Sequence, residues 1–309
     1  MNRHLFPDAK IISDWDILEN APLCSLTTWR VGGCVDYLVC PKNHTMVGEV
    51  LKRAAQSGML LSVLGGGSNT LVSDKPLHQI LLHTSSMSAF SVTEDHPTVL
   101  VCCEAGVSLR SLFAYTVRNQ LSGLEFAVGI PGSIGGALIG NAGVADQAIG
   151  ESVEWIETAH EDGSLRRWER EELNWSYRYC SLSQMQGAVI VRCALKFNKG
   201  EPAMIRGKVA QHAAKKRRQP LAQKTAGCVF KNPPNDSAGR LLELSGCKGL
   251  SLGGAQISTI HANFIENRGN ASAWDIFSLA ENSRKRVFEK LGVLMEYEVK
   301  FIGDFTTED

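Results

Sequence analysis

The sequence lacks several features that would place it outside the ordinary soluble enzymes. It contains no run of about 18 consecutive apolar residues, so no segment is expected to span a membrane as a helix. Its start, "MNRHLFPDAKIISDWDILEN", has neither an apolar core nor a small-residue cleavage site, so no signal peptide is expected. The formal net charge is +0, with no basic bias and no acidic tail, which argues against a nucleic-acid partner.

The cysteines also lack a pattern that would form disulfides or bind a metal. Their number, nine, is odd, there is no C-x-x-C, and no Cys/His pair has the spacing of zinc ligands. Several stand inside apolar runs such as "VLVCCEAG", where cysteine behaves as a small hydrophobic residue. This usage is typical of a reducing compartment, so we expect a cytoplasmic protein that holds no metal.

The length indicates more than one domain. A chain of 309 residues has room for two domains or three small ones, and its style changes at "NKGEP" (198–202), where we place a boundary. The predicted division is a lead-in at 1–22, a first domain at 23–199 with halves of about 23–85 and 86–199, and a second domain at 200–309.

Hydrophobic periodicity predicts helices and strands in both domains. Apolar residues recur at helical spacing in 44–57, with Gly58 as the C-terminal cap. Further helices are predicted at 108–122, 203–218 and 272–291, the last ending at Gly292. Strands are predicted at "CVDYLVCP", "MLLSVL", "TVLVCCEAG", "SVEWIETA", "LRRWE" and "AVIVRCALKF", and in the alternating segment at about 294–303.

Two glycine-rich loops, "LGGGSN" and "GIPGSIGGALIGNAG", stand in successive α/β units. Glycine allows backbone to approach a ligand closely, and successive N–H groups can form a nest for an anion. The first loop is neither G-x-G-x-x-G nor a G-x-x-x-x-G-K-[ST] phosphate loop. Together the loops favour a dinucleotide ligand. The candidate residues are Gly65, Gly66, Gly67, Ser68 and Asn69 in the first loop, and Gly129, Ile130, Pro131, Gly132, Ser133, Gly135, Gly136, Asn141 and Gly143 in the second.

Seven motifs in one order cover roughly residues 20 to 303: "TTWRVGG", "LGGGSNTLVSD", "GLEFAVGIPGSIGGALIGNAG", "SYRYC", "AGCVFKNP", "GGAQISTIHANFIEN" and "LMEYEVKFIG". With them the chain resembles the UDP-N-acetylenolpyruvoylglucosamine reductase (MurB) family. The resemblance implies an α+β fold, in which a two-subdomain FAD-binding domain of the vanillyl-alcohol-oxidase (PCMH) type precedes a C-terminal α+β substrate-binding domain. It also implies non-covalent FAD, NADPH as reductant, and reduction of UDP-N-acetylglucosamine enolpyruvate to UDP-N-acetylmuramate for peptidoglycan precursors.

The resemblance assigns roles to two charged residues. Arg178, in "SYRYC", would hold the enolpyruvyl carboxylate with its planar guanidinium and stabilise the charge that develops after hydride transfer. Glu298 would polarise the intermediate and help to set the proton relay. Taken alone, Glu296, Glu298 and Lys300 have the pattern of a solvated strand face, and only the register of "E-x-E-V" selects Glu298 over Glu296.

The resemblance also implies that Cys228, in "AGCVFKNP", donates the proton that follows the hydride. Without the flanking motif, a small buried side chain would be the better interpretation of this cysteine. The family commonly has serine here and cysteine in a subset. A thiol, with an ordinary pKa of ~8.5, is the stronger acid, and either group can protonate a carbon held close by.

Five further residues match positions that are expected to bind the substrate: Tyr177, Lys231, Asn232, Lys248 and Asn263. Tyr177 could instead pack on the flavin or the nicotinamide, and His261 is expected to be structural. Cys180 stands where the family usually has serine. Little sequence separates "SYRYC" from "AVIVRCALKF", so the chain resembles the class that lacks an extra substrate-covering loop.

Two other functions stay open at the level of the sequence. One is another flavoprotein of the same fold, such as a hydroxy-acid or lactone oxidase, although the histidine that often tethers FAD in those enzymes is missing from "VLGGGSN". The other is a flavin- or nucleotide-binding regulator without turnover, which need not retain Arg178, Cys228 and Glu298 together. We expect a monomer that acts on a small molecule, with neither nucleic acid nor membrane as a partner.

Overall fold

The computed structural model describes residues 16–144, 146–220 and 223–306. These residues form two compact units. Unit 1 comprises 16–20, Asp36–Gly66 and His78–Ala213, and unit 2 comprises Ala21–Val35, Gly67–Leu77 and the described part of 214–306.

The predicted domains are consecutive stretches of the chain, whereas each unit is assembled from several separate stretches. Residues 23–35 and 67–77, which that division places in the first domain, lie in unit 2. Of the predicted lead-in, 1–15 lies outside the described residues, and Asp16–Pro22 forms a strand. Compact units and functional domains are separate descriptions, so the predicted domain bounds stay a prediction.

The helices and strands are numbered in chain order. The helices are α1 (His44–Ser57), α2 (Leu109–Arg118), α3 (Ile134–Ile139), α4 (Pro202–Lys216), α5 (Ala238–Leu244) and α6 (Ala273–Leu291). The strands are β1 (Asp16–Pro22), β2 (Cys34–Cys40), β3 (Leu61–Leu64), β4 (Thr70–Val72), β5 (Leu77–His83), β6 (Phe90–Asp95), β7 (Thr98–Glu104), β8 (Leu121–Ser122), β9 (Gly143–Val144), β10 (Gln147–Ala148), β11 (Val153–His160), β12 (Leu165–Glu169), β13 (Trp175–Ser176), β14 (Tyr179–Cys180), β15 (Ala188–Lys199), β16 (Ser251–Leu252), β17 (Ala255–Ile257), β18 (Ile265–Asn267) and β19 (Lys300–Ile302).

Unit 1 is built on two sheets that share α1. One sheet has the order β1-β2-β5-β3, and the other has the order β12-β11-β15-β7-β6, with β8 added to β15. Helix α1 buries Val47, Val50, Leu51 and Ala54 in a core that also contains side chains of β5, β11 and β15. Its bounds confirm the prediction, because Asn43 accepts a hydrogen bond from the Met46 N–H (3.0 Å) and Gly58 ends the helix at φ 68°.

Helix α2 is shorter than predicted. It ends at Arg118, and Leu121–Ser122 become β8, which pairs with Asn198–Lys199 of β15. Leu121 is therefore buried by strand pairing, although its position suits the apolar face of a longer helix. Pairing with the end of the distant strand β15 here outweighs local helix propensity.

Unit 2 places α5 and α6 with the three-stranded sheet β16-β17-β18, while β4 pairs in parallel with β19. The prediction for α6 is confirmed, with Gly292 as its left-handed cap. The Ser272 hydroxyl accepts from the Asp275 N–H (2.9 Å), and the Asp74 carboxylate accepts from the N–H groups of Ala273 (2.7 Å) and Trp274 (3.1 Å). Within the described ranges, no helix is long and apolar enough to cross a membrane.

The strand predicted at about 294–303 forms only at its end, as β19. Burial still alternates upstream, since Met295 and Val299 are buried. The pairing is irregular there because the Val229 carbonyl accepts from two successive N–H groups, those of Glu298 (2.8 Å) and Val299 (3.3 Å). Two residues opposite one is the pattern of a β-bulge, which bends a strand and interrupts its ladder.

Candidate functional site

A cavity in unit 1 lies where the two glycine loops meet. It has a volume of ≈ 240 Å³. It is lined by Gly65, Gly66, Ser85, Gly106, Ser108, Gly132 and Ser133. Every lining residue is glycine or serine, so the lining carries no negative charge and offers backbone N–H groups and hydroxyls. The N-terminal ends of α2 and α3 border it, because Ser108 and Ser133 immediately precede these helices. Such a site favours an anion.

Glycine is required here because backbone packs on backbone. A Cβ added at Gly66 would lie 2.8 Å from the Gly132 Cα, and one at Gly106 would collide with the Thr84 carbonyl. Hydrogen bonds also join the second glycine loop to the segment between β7 and α2, from Leu109 N–H to the Gly132 carbonyl (3.0 Å) and from Ile134 N–H to the Val107 carbonyl (2.8 Å).

The predicted loop residues do not all lie at this cavity. Gly65, Gly66, Gly132 and Ser133 line it, whereas Gly67, Ser68 and Asn69 belong to unit 2. Gly106 and Ser108 were missed, although "EAGVS" has glycine and serine between a predicted strand and a predicted helix. Ser85 carries no such signal.

Arg178 lies in a tight hairpin of unit 1. Strands β13 and β14 pair Trp175 with Cys180 and Ser176 with Tyr179, so Tyr177 and Arg178 form a two-residue turn. Arg178 is half-buried at φ 56°, in the left-handed region, and its Nη1 donates to the Gly143 carbonyl (3.1 Å). Tyr177 is 49% exposed, and its ring centroid lies 5.1 Å from the Arg178 guanidinium carbon.

Asn141 joins this hairpin to the second glycine loop. Its Nδ2 donates to the Ser176 carbonyl (2.9 Å), and its Oδ1 accepts from the Gly150 N–H (3.1 Å). The side chain is 7% exposed. Asn141 therefore fixes the position of the arginine hairpin, and a direct contact with a cofactor stays a prediction.

The Cys228 loop lies in unit 2, beside the segment that carries Glu298. Gly227, which has a φ of 81°, directly precedes Cys228, and Cys228 is half-buried. The Glu298 N–H donates to the Val229 carbonyl (2.8 Å), and the Asn69 Nδ2 donates to the Glu298 carbonyl (3.1 Å). Backbone hydrogen bonds therefore hold the segments that carry Cys228 and Glu298 side by side, and Asn69 supports the Glu298 segment.

The structure separates Glu298 from Glu296. The Glu296 side chain is 76% exposed and forms an ion pair with Lys231 Nζ (3.2 Å), while Glu298 is half-buried. The ring of Tyr297, between them, stacks on Phe230 with centroids 5.0 Å apart, and its hydroxyl donates to Glu281 (2.6 Å). Burial, and then the bond to Glu281, raises the pKa of Tyr297, so its phenol stays a neutral donor.

The other predicted substrate residues of unit 2 make contacts with the protein itself. The Asn232 Oδ1 accepts from the Ala238 N–H at the start of α5 (3.0 Å), and Lys248 forms an ion pair with Glu243 (2.9 Å). Asn263 is 2% exposed and hydrogen-bonds to the backbone of Phe230. Substrate contacts of these residues stay predictions. No cluster of metal-ligating side chains occurs among the residues that the structure describes.

Two family descriptions match the chain. "UDP-N-acetylenolpyruvoylglucosamine reductase, C-terminal domain" matches residues 219–302, and "FAD binding domain" matches residues 35–169. UDP-N-acetylenolpyruvoylglucosamine reductase of Heliobacterium modesticaldum is 36% identical over 93% of this chain and 91% of its own. That of Nostoc sp. is 36% identical over 98% and 93%.

A solved structure agrees with these relatives. The reductase MurB from Thermus caldophilus matches with a TM-score of 0.77 and 34% sequence identity. The match covers 94% of this chain and 99% of that one, so it includes both units.

Proposed function

The chain belongs to the UDP-N-acetylenolpyruvoylglucosamine reductase family, and on that basis we propose that it reduces the enolpyruvyl ether of the UDP sugar to the corresponding lactyl ether, UDP-N-acetylmuramate. It is an FAD-dependent oxidoreductase of peptidoglycan precursor synthesis, with NADPH as reductant, and it has the α+β fold of that family. The C-terminal domain match does not favour a hydroxy-acid oxidase or a regulator.

The glycine–serine cavity of unit 1 would hold the FAD diphosphate. Its uncharged lining, its close backbone and the neighbouring helix N-termini suit two phosphates. When bound, FAD supplies the hydride chemistry of the reaction. The lining contains neither histidine nor cysteine, so we infer non-covalent binding. Acid or heat should then release FAD into the supernatant, and flavin that stays on the precipitated chain would contradict this.

Arg178 would bind the enolpyruvyl carboxylate. A guanidinium offers two parallel N–H donors to a carboxylate, and it stabilises the negative charge that develops there as the double bond is reduced. Its bond to Gly143 and the brace from Asn141 support this role, because they hold the guanidinium in one place before substrate arrives.

Cys228 would deliver the proton. Its S–H bond breaks as a C–H bond forms at the carbon next to the carboxylate. Glu298 polarises the intermediate and helps to set the relay by which the thiolate regains a proton from solvent. The observation that carries the proposal is the hydrogen bond from the Glu298 N–H to the Val229 carbonyl, which joins the two segments. Lys231, Asn232, Lys248 and Tyr177 would contact the sugar nucleotide or the nicotinamide.

Separating the two half-reactions tests this assignment. In anaerobic stopped-flow, Cys228→Ala should be reduced by NADPH at the wild-type rate, since that step needs no proton from the thiol. Reoxidation by UDP-N-acetylglucosamine enolpyruvate should slow by at least about 10²-fold, the usual contribution of a positioned acid.

Cys228→Ser is the matched control, and it should recover much of the reoxidation rate because a hydroxyl can serve as the donor. Unchanged reoxidation with normal product in the alanine variant would make Cys228 only a small side chain. A wild-type protein whose flavin is not reduced by NADPH, or is not reoxidised by this substrate, would refute the proposed function itself.

We also propose a cytoplasmic monomer of the class without the extra substrate-covering loop. Nine free cysteines support a reducing compartment. The short connection from β14 to β15, which contains one 3-10 turn at Ser181–Gln184, supports the class. Light scattering of the purified protein would test the monomer.

A further inference from the structure

We propose that Asn263 is a positioning residue for the Cys228 loop, which acts through the backbone of Phe230 and not on the substrate. The consequence for catalysis rests on the proposed role of Cys228, but the structural claim does not.

The side-chain amide of Asn263 makes two complementary hydrogen bonds to one residue. Its Oδ1 accepts from the Phe230 N–H (2.9 Å), and its Nδ2 donates to the Phe230 carbonyl (2.8 Å). The main-chain carbonyl of Asn263 also accepts from the Val229 N–H (2.9 Å). Asn263 thus acts on the loop as a neighbouring strand would, and it makes its contacts one and two residues after Cys228.

The chemistry of the amide makes this pairing specific. A carboxylate has no hydrogen for the Phe230 carbonyl, and an aliphatic side chain would leave both Phe230 groups without these bonds. Water could not readily replace the lost bonds, because Asn263, Val229 and Phe230 are only 2–3% exposed.

A second contact fixes Asn263 itself. The Nδ1 of His261 accepts from the Asn263 N–H (3.2 Å), and the His261 ring stands edge-on to Phe264 with centroids 5.0 Å apart. A Cβ on Gly239 would lie 2.8 Å from the His261 Cε1, so α5 also confines the ring. The expected structural role of His261 is therefore to hold Asn263.

This arrangement can matter for the rate because proton transfer depends on distance. A donor displaced by about 1 Å can cost on the order of 10²-fold in rate. The loop is also tied to the Glu298 segment through Val229 and through the stacking of Phe230 on Tyr297. Loss of the Asn263 bonds would therefore weaken one of the attachments that hold the Cys228 loop in place.

The test compares Asn263→Ala and Asn263→Gln with Asn267→Ala in the holoenzyme. Asn263→Gln keeps the amide but moves it by one methylene. Asn267 is the matched control, since it is also buried in unit 2, and its side chain binds the backbone of Trp29, Gly269 and Ala271. The first readout is the alkylation rate of Cys228 without substrate, measured peptide by peptide against the exposed Cys24.

We expect Cys228 alkylation to be several-fold faster in both Asn263 variants than in the wild type and in Asn267→Ala. Flavin reduction by NADPH should be unchanged, and reoxidation by substrate should slow on the order of 10²-fold. An unchanged alkylation rate with a raised KM would overturn the proposal in favour of a direct substrate contact. Altered alkylation with normal reoxidation would retain the positioning of the loop and refute only the catalytic role of Cys228.

If neither Asn263 variant folds, hydrogen exchange of the wild-type protein decides the question. The Phe230 amide, whose acceptor is the Asn263 side chain, should then exchange as slowly as the interior amides of α6. Fast exchange of this amide would show that the bond does not hold the loop, and it would overturn the proposal.

Discussion

Arg178 combines a required charge with an unfavourable backbone. At φ 56° it occupies a turn position that suits glycine or asparagine, and a left-handed conformation costs other residues about 1 kcal/mol or more. Arg178→Gly should therefore leave the free energy of unfolding equal or higher, because glycine removes the cost of the left-handed backbone and this gain offsets the lost bond to Gly143. The same change should lower kcat/KM strongly, because the guanidinium is lost. Arg178→Lys should lower kcat/KM by roughly 10²-fold, because the planar fork is lost. Urea unfolding and NADPH oxidation measure the two effects.

Gln120 offers the matched control for this prediction. It also has positive φ, at 58°, and it is exposed. Gln120→Gly should be equally well tolerated in stability and fully active. A loss of more than about 2 kcal/mol in Arg178→Gly, beyond what one hydrogen bond contributes, would assign Arg178 a structural role.

At the scale of elements, the two glycine loops depend on close contact between their backbones. Gly66→Ala would bring a Cβ to 2.8 Å from the Gly132 Cα, and backbone atoms cannot rotate away as a side-chain end can. We expect the variant to purify with less FAD and a weaker FAD Kd by fluorescence titration. Gly207→Ala is the control, because nothing lies within 4 Å of that added Cβ and α4 should become slightly more stable. Equal FAD affinity in both variants would show that the close approach at Gly66 is not required for FAD binding.

At the scale of the whole molecule, two half-buried histidines predict how the free energy of unfolding depends on pH. Burial lowers the pKa of His83 in unit 1 and of His261 in unit 2 below the ordinary value of 6.5. The unfolded chain therefore binds these protons more readily, so the free energy of unfolding is highest above pH 6.5 and falls as the pH drops through that value toward the folded-state pKa values. His261→Asn should reduce this slope between pH 7 and pH 5 in urea titrations, and an unchanged slope would contradict the prediction.

Features that depend on residues within a few positions of one another follow from the amino-acid sequence by itself. Helix α1 follows from its apolar spacing and from Gly58, and α6 ends at Gly292 as expected. The glycine loops indicate a dinucleotide site because a tight backbone approach demands glycine locally. The motif around Cys228 likewise carries the family resemblance, which the comparisons confirm.

Other features of the fold depend on pairing between segments that are far apart in the sequence, and only the tertiary structure shows them. The division of "LGGGSN" between two units, the capture of Leu121–Ser122 by β15 and the bulge at Val229 each depend on a partner far along the chain. The hydrogen bonds between Asn263 and Phe230 join residues that are 33 positions apart in the sequence. Local propensities are weak, and burial with hydrogen-bond satisfaction across the folded chain outweighs them. A periodic pattern therefore shows which side chains become buried, while the partners that bury them appear only when distant segments come together.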